Sequence, residues 1–450
     1  MEIKGKNITI IGAERSGIAA ALLAKKMGAV PFVSDFSVSD KISEGCKLLE
    51  KEEIKFELGS HSDQILNCDF AVLSPGVPSD SNVVLKLMKA DKKIISEIEF
   101  AYNFCKGKII AITGTNGKTT TTSLAAYTLK SCGVKSYAAG NIGLAFSDIA
   151  LEVDELDFVV LEVSSFQLDF IEKFKPNFAV LLNITPDHLD RYDNKLENYV
   201  LSKFRIFENQ NEADYAIINY DDPIIAQQDL NCRAAKYSFS TNSEVERGTF
   251  LRGQNLCFKN EDGEEVVCGT NDVILRGKHN LSNVLSVLNV FKLINLPNEA
   301  IKNALSTFEP VEHRLEFVAE IEGVDYINDS KATNVDAVWY ALESFDEAVY
   351  LILGGKDKGN DYTKIDNQVQ RIVKKIYAIG SSSDKIKKHF ESFVNVRKVR
   401  SLKEAIKLAR KEAHPGEVVL LSPACASFDM FENYEDRGRK FKEAVNEMVV

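Results

Sequence analysis

The chain has 450 residues, of which 45% are apolar and 27% charged, and its formal net charge is −11. This length exceeds one compact core and predicts roughly two to four domains, while the composition is that of a globular protein and excludes a disordered chain. The negative charge argues against a general nucleic-acid or membrane-surface binder, which needs a basic face, although a local cluster of Lys and Arg can still hold an anionic small molecule.

The first block of the chain alternates apolar β-branched runs with helical patterns, which indicates βαβ units and a parallel sheet. The residues from Met1 to Lys6 are polar and charged, and the apolar run after them is too short for a signal peptide, so we expect a soluble, cytoplasmic protein. Strands are predicted at 7–11, 30–34 and 69–73, a helix from the turn 12–17 to about residue 27, and the block ends near residue 97.

The turn from Gly12 to Gly17 is similar to a dinucleotide-binding fingerprint. That fingerprint has a glycine at its middle position so that the backbone can approach a pyrophosphate, whereas Glu14 stands there and its charge would repel phosphate. Binding of NAD, binding of another nucleotide and plain turn geometry all stay open for this turn. Asp35, at the end of the second strand, could bond a ribose or a uracil edge.

The strongest motif follows the predicted strand 108–113 and begins a helix that runs to about Ser131. Its sequence is Gly114-Thr115-Asn116-Gly117-Lys118-Thr119-Thr120. Backbone N–H groups of such a loop point at a phosphate, and the helix N-terminus adds partial positive charge. Lys118 can reach the β- and γ-phosphates and Thr119 can ligate Mg²⁺. Because Ile112 stands where the general P-loop has its first glycine, the motif is a shortened variant.

Acidic and imidazole residues follow the next two strands of this block, predicted at 157–163 and 178–184. Glu162 lies near the end of the first, and Asp187 and His188 follow the second. Because parallel strands end at one edge of a sheet, we expect Glu162, His188 and the phosphate loop to converge. A carboxylate and an imidazole beside a triphosphate suit Mg²⁺ coordination, whereas each residue alone is also explained as a surface charge or a turn histidine.

After the second block, the sequence pattern changes to short alternating segments, and a third block follows. The stretch 235–275 has short alternating segments and polar turns, which indicates a small antiparallel piece, and a helix is predicted at 280–293. The third block, from 310, reads as another doubly wound sheet. Its predicted strands are 325–328, 348–354, 375–379 and 418–422. The predicted domains are therefore 1–97, 98–309 and 310–450.

Two loops of the third block carry polar clusters at strand ends. In the loop 328–334, Lys331 and Thr333 could hold a carboxylate, and Arg314 lies upstream. The loop 422–429 contains Cys425, which as a nucleophile lacks a visible His–Asn partnership, so a buried structural thiol is favoured. The eight cysteines are scattered without the spacing of a zinc site or a disulfide framework.

Taken together, these motifs resemble the Mur ligase family over essentially the whole chain. The resemblance lies in the loop 114–119, Glu162, the segment 183–188, and Gly277-Lys278-His279-Asn280 with Asn283. Within the family, the segments 187–192, 328–334 and 421–427 resemble the members that add D-glutamate. The resemblance implies a three-domain α/β fold, with a Rossmann-like N-terminal domain, a P-loop-type central ATPase domain with a mostly parallel sheet, and a Rossmann-like C-terminal domain.

The resemblance also implies a role for each matching residue. The UDP-substrate would contact Ser16, Asp35, Ser74, Gly76, Asn141 and His188. ATP would contact Gly114, Thr115, Asn116, Gly117, Lys118, Thr119, Thr120, Asn280, Arg314 and Asp329. D-glutamate would contact Lys331, Thr333, Lys358, Ser427 and Phe428. Metal ligands would be Thr119, Glu162, His188 and Lys203, and the residues with catalytic roles would be Lys118, His188 and Lys203.

Lys203 enters only through the resemblance, because the sequence alone predicts a lysine on a helix surface. The family carbamylates a lysine in the pattern that matches 202–208, and a carbamate offers oxygen to a hard metal such as Mg²⁺. Two features, one loop with two lysines and one aromatic residue, depart from the family pattern. Lys356 and Lys358 both compete for the amino-acid carboxylate, with Lys358 preferred, and Tyr434 stands where some relatives have phenylalanine.

The implied reaction is ATP-dependent addition of D-glutamate to UDP-N-acetylmuramoyl-L-alanine through an acyl phosphate, with Mg²⁺ at two sites and a monomeric enzyme. It belongs to peptidoglycan precursor synthesis, and so to cell-wall biogenesis, cell shape and cell division. Three alternatives stay open: another Mur ligase, a folylpolyglutamate-synthase-like ligase, and a module that binds ATP only as a switch. The first block and the loop 328–334 speak against the folate reading.

Overall fold

The computed structural model describes residues 1–38, 40–228, 230, 232–275, 277–309, 312–345, 347–357 and 359–448, with only the backbone at 40, 41 and 43. The chain divides into two compact units. The first comprises Met1–Ile274 and Ser282–Phe308, and the second comprises Leu275–Leu281 and Glu309–Val450. Since both of the first two sheets lie in the first unit, the boundaries predicted after residues 97 and 309 stay predictions.

The first unit contains strands β1 to β14 and most of the helices. Its strands are β1 (Asn7–Ile11), β2 (Val30–Asp35), β3 (Lys55–Leu58), β4 (Phe70–Leu73), β5 (Lys93–Ser96), β6 (Lys108–Thr113), β7 (Ser136–Gly140), β8 (Phe158–Glu162), β9 (Phe178–Leu181), β10 (Tyr215–Asn219), β11 (Ala235–Ser240), β12 (Gly248–Arg252), β13 (Asn255–Asn260) and β14 (Gly263–Gly269). Its helices are α1 (Arg15–Lys26), α2 (Asp40–Lys51), α3 (Asn82–Lys89), α4 (Glu97–Tyr102), α5 (Lys118–Ser131), α6 (Phe146–Ile149), α7 (Ser165–Leu168), α8 (Leu196–Phe204), α9 (Pro223–Ala226), α10 (Lys278–Leu293) and α11 (Asn298–Thr307).

The second unit also contains the first residues of α10. Its strands are β15 (Glu316–Ile321), β16 (Val324–Asn328), β17 (Val349–Gly354), β18 (Val373–Ile379), β19 (Asn395–Lys398) and β20 (Val418–Leu421). Its helices are α12 (Val335–Leu342), α13 (Asp366–Ile372), α14 (Ser383–Phe390), α15 (Leu402–Glu412) and α16 (Tyr434–Asn446). Single 3₁₀ turns occupy Asp63–Leu66, Leu189–Arg191, Arg205–Phe207, Thr270–Asp272 and Tyr362–Ile365.

The first sheet is parallel throughout, in the order β3-β2-β1-β4-β5. Its central strands are continuous apolar runs because helices cover both faces. Ile11 pairs with Ser34 on one side and with Leu73 on the other. The residues that follow these strands, including Gly12 and Ser74, therefore meet at one carboxyl edge, where ligands bind in such sheets.

The second sheet has nine strands, in the order β14-β13-β12-β11-β10-β9-β6-β8-β7. The predicted antiparallel piece over 235–275 is right only for β12, β13 and β14, because β11 pairs in parallel with both β10 and β12. The physical reason lies in the connections. Short turns join β12 to β13 and β13 to β14 and force antiparallel pairing, whereas α9 lies between β10 and β11 and returns the chain to a parallel strand.

The third sheet has the order β15-β16-β20-β17-β18-β19, and only β15 pairs antiparallel. Its central strands are buried on both faces. Leu351 and Leu420 lie in the core on one side of the sheet, and Ile352 and Leu421 lie in the core on the other. The three-domain α/β fold expected from the sequence is therefore confirmed. Within the described ranges, none of the helices has both the length and the apolar character that crossing a bilayer requires.

Helix α4 carries two buried carboxylates with opposite environments. Glu99 accepts three backbone N–H groups at Oε2, at 3.0 Å from Glu172 and Lys173 and 2.7 Å from Phe174. Glu97 accepts the Ser147 N–H at 2.6 Å on Oε1, and its Oε2 has no hydrogen-bond partner among the described residues. Burial, with the nearby charge of an aspartate, raises the pKa of Glu97 to about 7.

We expect Glu97→Gln to change how stability depends on pH. The pKa of Glu97 is about 7 in the folded state and about 4.3 in the unfolded state, where the side chain is exposed. Since the folded state binds the proton more tightly, the stability of the fold falls as the pH rises from the lower pKa to the higher one. Glutamine keeps the Oε1 acceptor and cannot ionise, so the variant should be more stable than the parent at pH 8, by on the order of 1–3 kcal/mol, and close to it at pH 5.

Thermal unfolding followed by circular dichroism at both pH values measures this difference. Glu99→Gln is the control, because removing the charge that accepts three N–H donors should destabilise the fold at pH 8. An equal shift of the Glu97→Gln midpoint at pH 5 and pH 8 would contradict the assignment.

Candidate functional site

The phosphate loop predicted from the sequence connects β6 to α5. Gly114 has φ +155° and Gly117 has φ +86°, so both adopt backbone conformations that favour glycine. A Cβ on Gly114 would lie 2.9 Å from the Cβ of Leu182, and a Cβ on Gly117 would collide with the side chain of Asn283. The two glycines are thus required both by conformation and by space.

The segment after β9 holds this loop in place. Asn183 accepts the Thr115 N–H at its carbonyl, 2.9 Å away, and the Asn116 N–H at its side-chain oxygen, 2.8 Å away. Its amide donates to the Asn116 carbonyl at 3.0 Å. The Thr115 hydroxyl also donates to the Thr185 carbonyl at 3.1 Å. Backbone and side-chain bonds therefore fix the loop before any ligand arrives.

Two lysines meet at the Gly114 carbonyl. The ammonium of Lys118 donates to it at 2.8 Å and to the Thr115 carbonyl at 2.8 Å, and the Nζ of Lys203 donates to the same Gly114 oxygen at 2.9 Å. The sequence alone predicted a surface lysine at position 203, and this is wrong. Lys203 is only 1% exposed, and its Nζ lies 4.5 Å from the ring centre of Tyr199. Burial, together with the charge of Lys118, holds the pKa of Lys203 well below its usual value.

Glu162 places a carboxylate at the same edge of the sheet. Its strand pairs it with Ile112 of β6 and with Gly140 of β7. Its Oε1 accepts the Asn141 amide at 3.0 Å, whereas its Oε2 is buried and has no hydrogen-bond partner among the described residues. A buried carboxylate oxygen without a partner fits a hard divalent cation, and the side chain of Thr119 is buried at the start of α5. These residues fit the predicted magnesium site.

His188 begins the 3₁₀ turn Leu189–Arg191 with a left-handed backbone, φ +52°. Its N–H donates to the Asp187 carboxylate at 3.0 Å, and its imidazole lies edge-on to Phe166 with ring centres 5.3 Å apart. The side chain is 45% exposed, so the imidazole can contact a ligand.

A cavity of about 1200 Å³ opens at the carboxyl edge of the first sheet. It is lined by most of the residues predicted for the UDP-substrate, namely Ser16, Asp35, Ser74, Gly76 and Asn141, and His188 is not among its lining residues. Asp35 accepts the Ala13 N–H at 2.6 Å and the Ser37 N–H at 2.7 Å, which fixes its carboxylate at the wall. The structure thus brings these predicted residues together around one space large enough for a nucleotide.

Two rings in this cavity were missed by the sequence analysis. Phe36 and His61 have ring centres 6.4 Å apart, and both line the cavity. His61 Nδ1 lies 2.7 Å from the Ser34 hydroxyl, and burial lowers the pKa of His61. The signal was available but weak, because His61 follows β3, a short strand with no strong apolar pattern.

In the second unit, Asp329 lies beside Arg314 at the carboxyl edge of the third sheet. Asp329 accepts the Ser422 hydroxyl at 2.8 Å and the Leu315 N–H at 3.3 Å, and burial raises the pKa of Asp329 to about 7. The Nε of Arg314 is buried without a hydrogen-bond partner in the part of the chain that the structure describes. Burial and the Arg314 charge lower the pKa of His279 to about 4. The predicted ATP residue Asn280 follows His279 and is buried.

Four of the residues predicted for the amino acid lie on two loops of this unit and differ in exposure. Lys331 is half-buried, with its Nζ 5.4 Å from the ring centre of Tyr434. Thr333 and Phe428 are exposed and Ser427 is buried. The remaining candidates are Lys356, which is exposed, and Lys358, which lies outside the described residues.

Arg437, which the sequence analysis missed, ties these two loops together. It is 1% exposed, and its guanidinium donates to the Ser330 hydroxyl at 2.9 Å, the Ser330 carbonyl at 2.7 Å and the Cys425 carbonyl at 3.0 Å. Nothing in a helical pattern distinguishes such an arginine from a surface residue. Cys425 itself is buried, and burial raises the pKa of its thiol, as expected of the favoured structural role. All eight cysteines are free thiols.

A phosphate loop with two converging lysines, on a mostly parallel sheet, defines a phosphate-binding α/β protein. Residues 112–291 match the Mur ligase middle domain, residues 313–425 match the glutamate ligase domain of Mur ligases, and residues 8–83 match the MurD N-terminal domain. The chain belongs to the Mur ligase family.

Relatives cover the chain from end to end. It is 44% identical to the UDP-N-acetylmuramoylalanine--D-glutamate ligase of Chloroherpeton thalassium, over 99% of this chain and 98% of that protein. It is 45% identical to the protein of the same name from Bacteroides thetaiotaomicron, over 98% of this chain and 100% of that protein.

Among solved structures, the UDP-N-acetylmuramate-alanine ligase MurC from Thermotoga maritima is similar with a TM-score of 0.63 and 20% identity, over 98% of this chain and 100% of that one. FolC from E. coli is similar with a TM-score of 0.59 and 16% identity, over 84% of this chain and 100% of that one. These likenesses show a common fold.

We expect Gly117→Ala to weaken binding of a nucleoside triphosphate. The added Cβ meets the Asn283 side chain at a positive φ, so the loop has to move. Gly133→Ala is the matched control, because Gly133 has a similar φ of +78° at the other end of α5 and a Cβ there meets nothing within 4 Å. Each variant should lose about 1 kcal/mol of stability from backbone strain.

Only Gly117→Ala should reduce affinity for a non-hydrolysable ATP analogue, by roughly tenfold or more, measured by calorimetry. Equal affinities in the two variants would show that the loop does not hold the triphosphate.

Proposed function

We propose that this chain is an ATP-dependent ligase that joins D-glutamate to the L-alanyl carboxylate of UDP-N-acetylmuramoyl-L-alanine. The observations that carry the chemistry are the pair of lysines, Lys118 and Lys203, at a carbonyl of the phosphate loop, and the buried oxygen of Glu162 that has no partner among the described residues. The choice of substrate is supported by the full-length relatives with 44% and 45% identity, which bear the name of this ligase.

A carboxylate is a poor electrophile, because its charge repels a nucleophile and oxide is a poor leaving group. Transfer of the γ-phosphoryl group of ATP to a carboxylate oxygen breaks the bond to the β-phosphate, releases ADP and forms an acyl phosphate, so the carbonyl carbon becomes electrophilic and phosphate becomes its leaving group. Lys118, at the loop that cradles the phosphates, offsets the charge of the transferring group. The amine of D-glutamate then attacks the acyl phosphate, and the tetrahedral species collapses to an amide and phosphate. His188 is the proposed group for handling the proton of this amine.

Each substrate has its proposed residues. The cavity of the first sheet holds the UDP-substrate, with Ser16, Asp35, Ser74, Gly76 and Asn141 at its wall. ATP occupies the loop 114–120 of the first unit; for Asn280, Arg314 and Asp329 of the second unit, contact with ATP stays a prediction of the family resemblance. D-glutamate is bound by Lys331, Thr333, Lys358, Ser427 and Phe428. We also place the enzyme in the cytoplasm, as a monomer.

Release of phosphate in the presence of different acids and amino acids tests this proposal. We expect release only with ATP, UDP-N-acetylmuramoyl-L-alanine and D-glutamate together. Release with another amino acid would identify a different Mur ligase activity, release with a folate would favour a folylpolyglutamate-synthase-like ligase, and ATP binding without amino-acid-dependent release would favour a binding module.

Lys118→Ala should reduce this release by about a thousandfold or more, because it removes the cation beside the transferring phosphoryl group. Lys130→Ala, at the exposed last turn of the same helix, is the matched control and should retain full activity. Full activity in Lys118→Ala would refute the mechanism.

We also propose that Lys203 is carbamylated and that, with Thr119, Glu162 and His188, it holds magnesium at two sites. Only a neutral amine reacts with carbon dioxide, and burial beside Lys118 lowers the pKa of Lys203, which favours the neutral form. The carbamate would supply oxygen ligands that an ammonium cannot. When bound, magnesium offsets the negative charge of the phosphates during transfer.

Labelling with ¹³C-bicarbonate tests the modification directly. The carbon NMR spectrum should show a carbamate signal that disappears in Lys203→Ala and persists in Lys195→Ala, an exposed lysine at the N-terminus of the same helix. Lys203→Arg keeps a cation but cannot form the carbamate, so its phosphate release should fall by about a hundredfold or more. A signal retained in Lys203→Ala, or full activity in Lys203→Arg, would overturn this assignment.

A further inference from the structure

Arg191 joins two parts of the first unit that are distant in sequence. Its guanidinium lies over the ring of Phe166, with Cζ 4.1 Å from the ring centre. From there it donates to the carbonyl of Pro75 at 3.4 Å and to the carbonyl of Gly76 at 3.2 Å. These two carbonyls belong to the turn between β4 and α3, which lines the cavity of the first sheet. One side chain thus reaches from the second sheet to the cavity wall.

The ring beneath Arg191 also supports His188. Phe166 presents its face to Tyr192, with ring centres 6.0 Å apart and planes 13° apart, and meets the His188 ring edge-on at 5.3 Å. Tyr192 is fixed in turn, because its hydroxyl donates to the Asp169 carboxylate at 3.0 Å and lies 3.3 Å from the Ser202 hydroxyl. Tyr192 therefore holds the ring of Phe166 in place, and both Arg191 and His188 pack against that ring.

The outer part of the turn, at Pro75 and Gly76, is held mainly by Arg191. Gly76 is exposed, and a Cβ added to it would meet nothing within 4 Å. The hydrogen bonds of the Ser74 hydroxyl to the Gly12 carbonyl and of the Val77 N–H to the Ser74 carbonyl lie within the first sheet's own loops. The Arg191 guanidinium therefore attaches the outer part of the turn to the second sheet.

We propose that Arg191 is a positioning residue that couples the cavity wall at Pro75 and Gly76 to the imidazole of His188. Filling the cavity and orienting His188 then depend on one another, although the turn at Pro75 and Gly76 and the segment with His188 follow strands of different sheets. This inference rests on the proposed function for the identity of the substrate. A planar guanidinium can bind two carbonyls while it stacks on a ring, which a lysine ammonium cannot do.

Arg191→Lys separates this coupling from the effect of charge, and Arg205→Lys is its matched control. Arg205 also binds two backbone carbonyls, those of Asp169 and Ile171 at 2.6 and 2.8 Å, and is also half-buried, but the structure records no bond from it to the turn. We expect Arg191→Lys to raise the KM for UDP-N-acetylmuramoyl-L-alanine and the Kd for UDP by about tenfold, with the KM for ATP changed less than about twofold. Arg205→Lys should leave all three near the parent values.

Two further readouts distinguish positioning from general loss of structure. In protein with ¹³C-labelled histidine, UDP should shift the His188 signal of the parent, assigned with His188→Gln, but not that of Arg191→Lys. Guanidinium ion should restore much of the UDP affinity of Arg191→Ala. Equal Kd values for UDP in the two lysine variants would overturn the inference. So would a His188 signal that UDP shifts in Arg191→Lys as much as in the parent, or a lowered melting temperature of Arg191→Ala whose UDP affinity guanidinium does not restore.

Failure of the proposed function would look different from these outcomes. It would show as no D-glutamate-dependent phosphate release in the parent, while the binding of UDP and the His188 shift still test Arg191. If UDP does not bind the parent, the coupling proposed for Arg191 is wrong.

Discussion

The convergence of two lysine side chains on the carbonyl oxygen of Gly114 is the constraint on which the site of the first unit depends. One comes from the start of α5 and the other from the end of α8, so two helices must approach the same loop. Two ammonium groups at one oxygen repel each other, and the buried one has the lowered pKa. Burial beside the charge of Lys118 thus favours the neutral amine at Lys203.

In the second and third sheets, a side chain from a neighbouring element holds the loops at the strand ends. Asn183, after β9, holds the phosphate loop through three hydrogen bonds to its backbone. Arg437 does the same for the loops after β16 and β20, again by binding backbone atoms. In both cases a side chain in one element fixes the backbone of another, and with it the loops that carry residues proposed to bind ligands.

Much of this could be predicted from the sequence, because strand ends and glycine-rich turns are local signals. The loop 114–120 and Glu162 both lie where the strand pattern put them. The rest depends on contacts between residues far apart in the chain. Lys203 donates to a loop carbonyl 89 residues away in the chain, and Arg191 donates to a turn 115 residues away. The helical periodicity of the sequence does not indicate either of these long-range contacts. The parallel pairing of β11 was missed for a related reason, since its pattern resembles that of the hairpin strands beside it.

The surroundings of Cys425 have a consequence for inhibitor design. The thiol lies in a loop proposed to contact the amino acid, so it is an obvious target for covalent inhibitors. Yet it is 1% exposed, and its sulfur lies 3.3 Å from the Asn360 amide and 3.5 Å from the Tyr362 hydroxyl. Burial also raises the pKa of this thiol, so the reactive thiolate is scarce. Electrophilic inhibitors directed at this loop would have little access to the sulfur. Reversible ligands that pack against the neighbouring Phe428, which is exposed, are therefore better suited to this site.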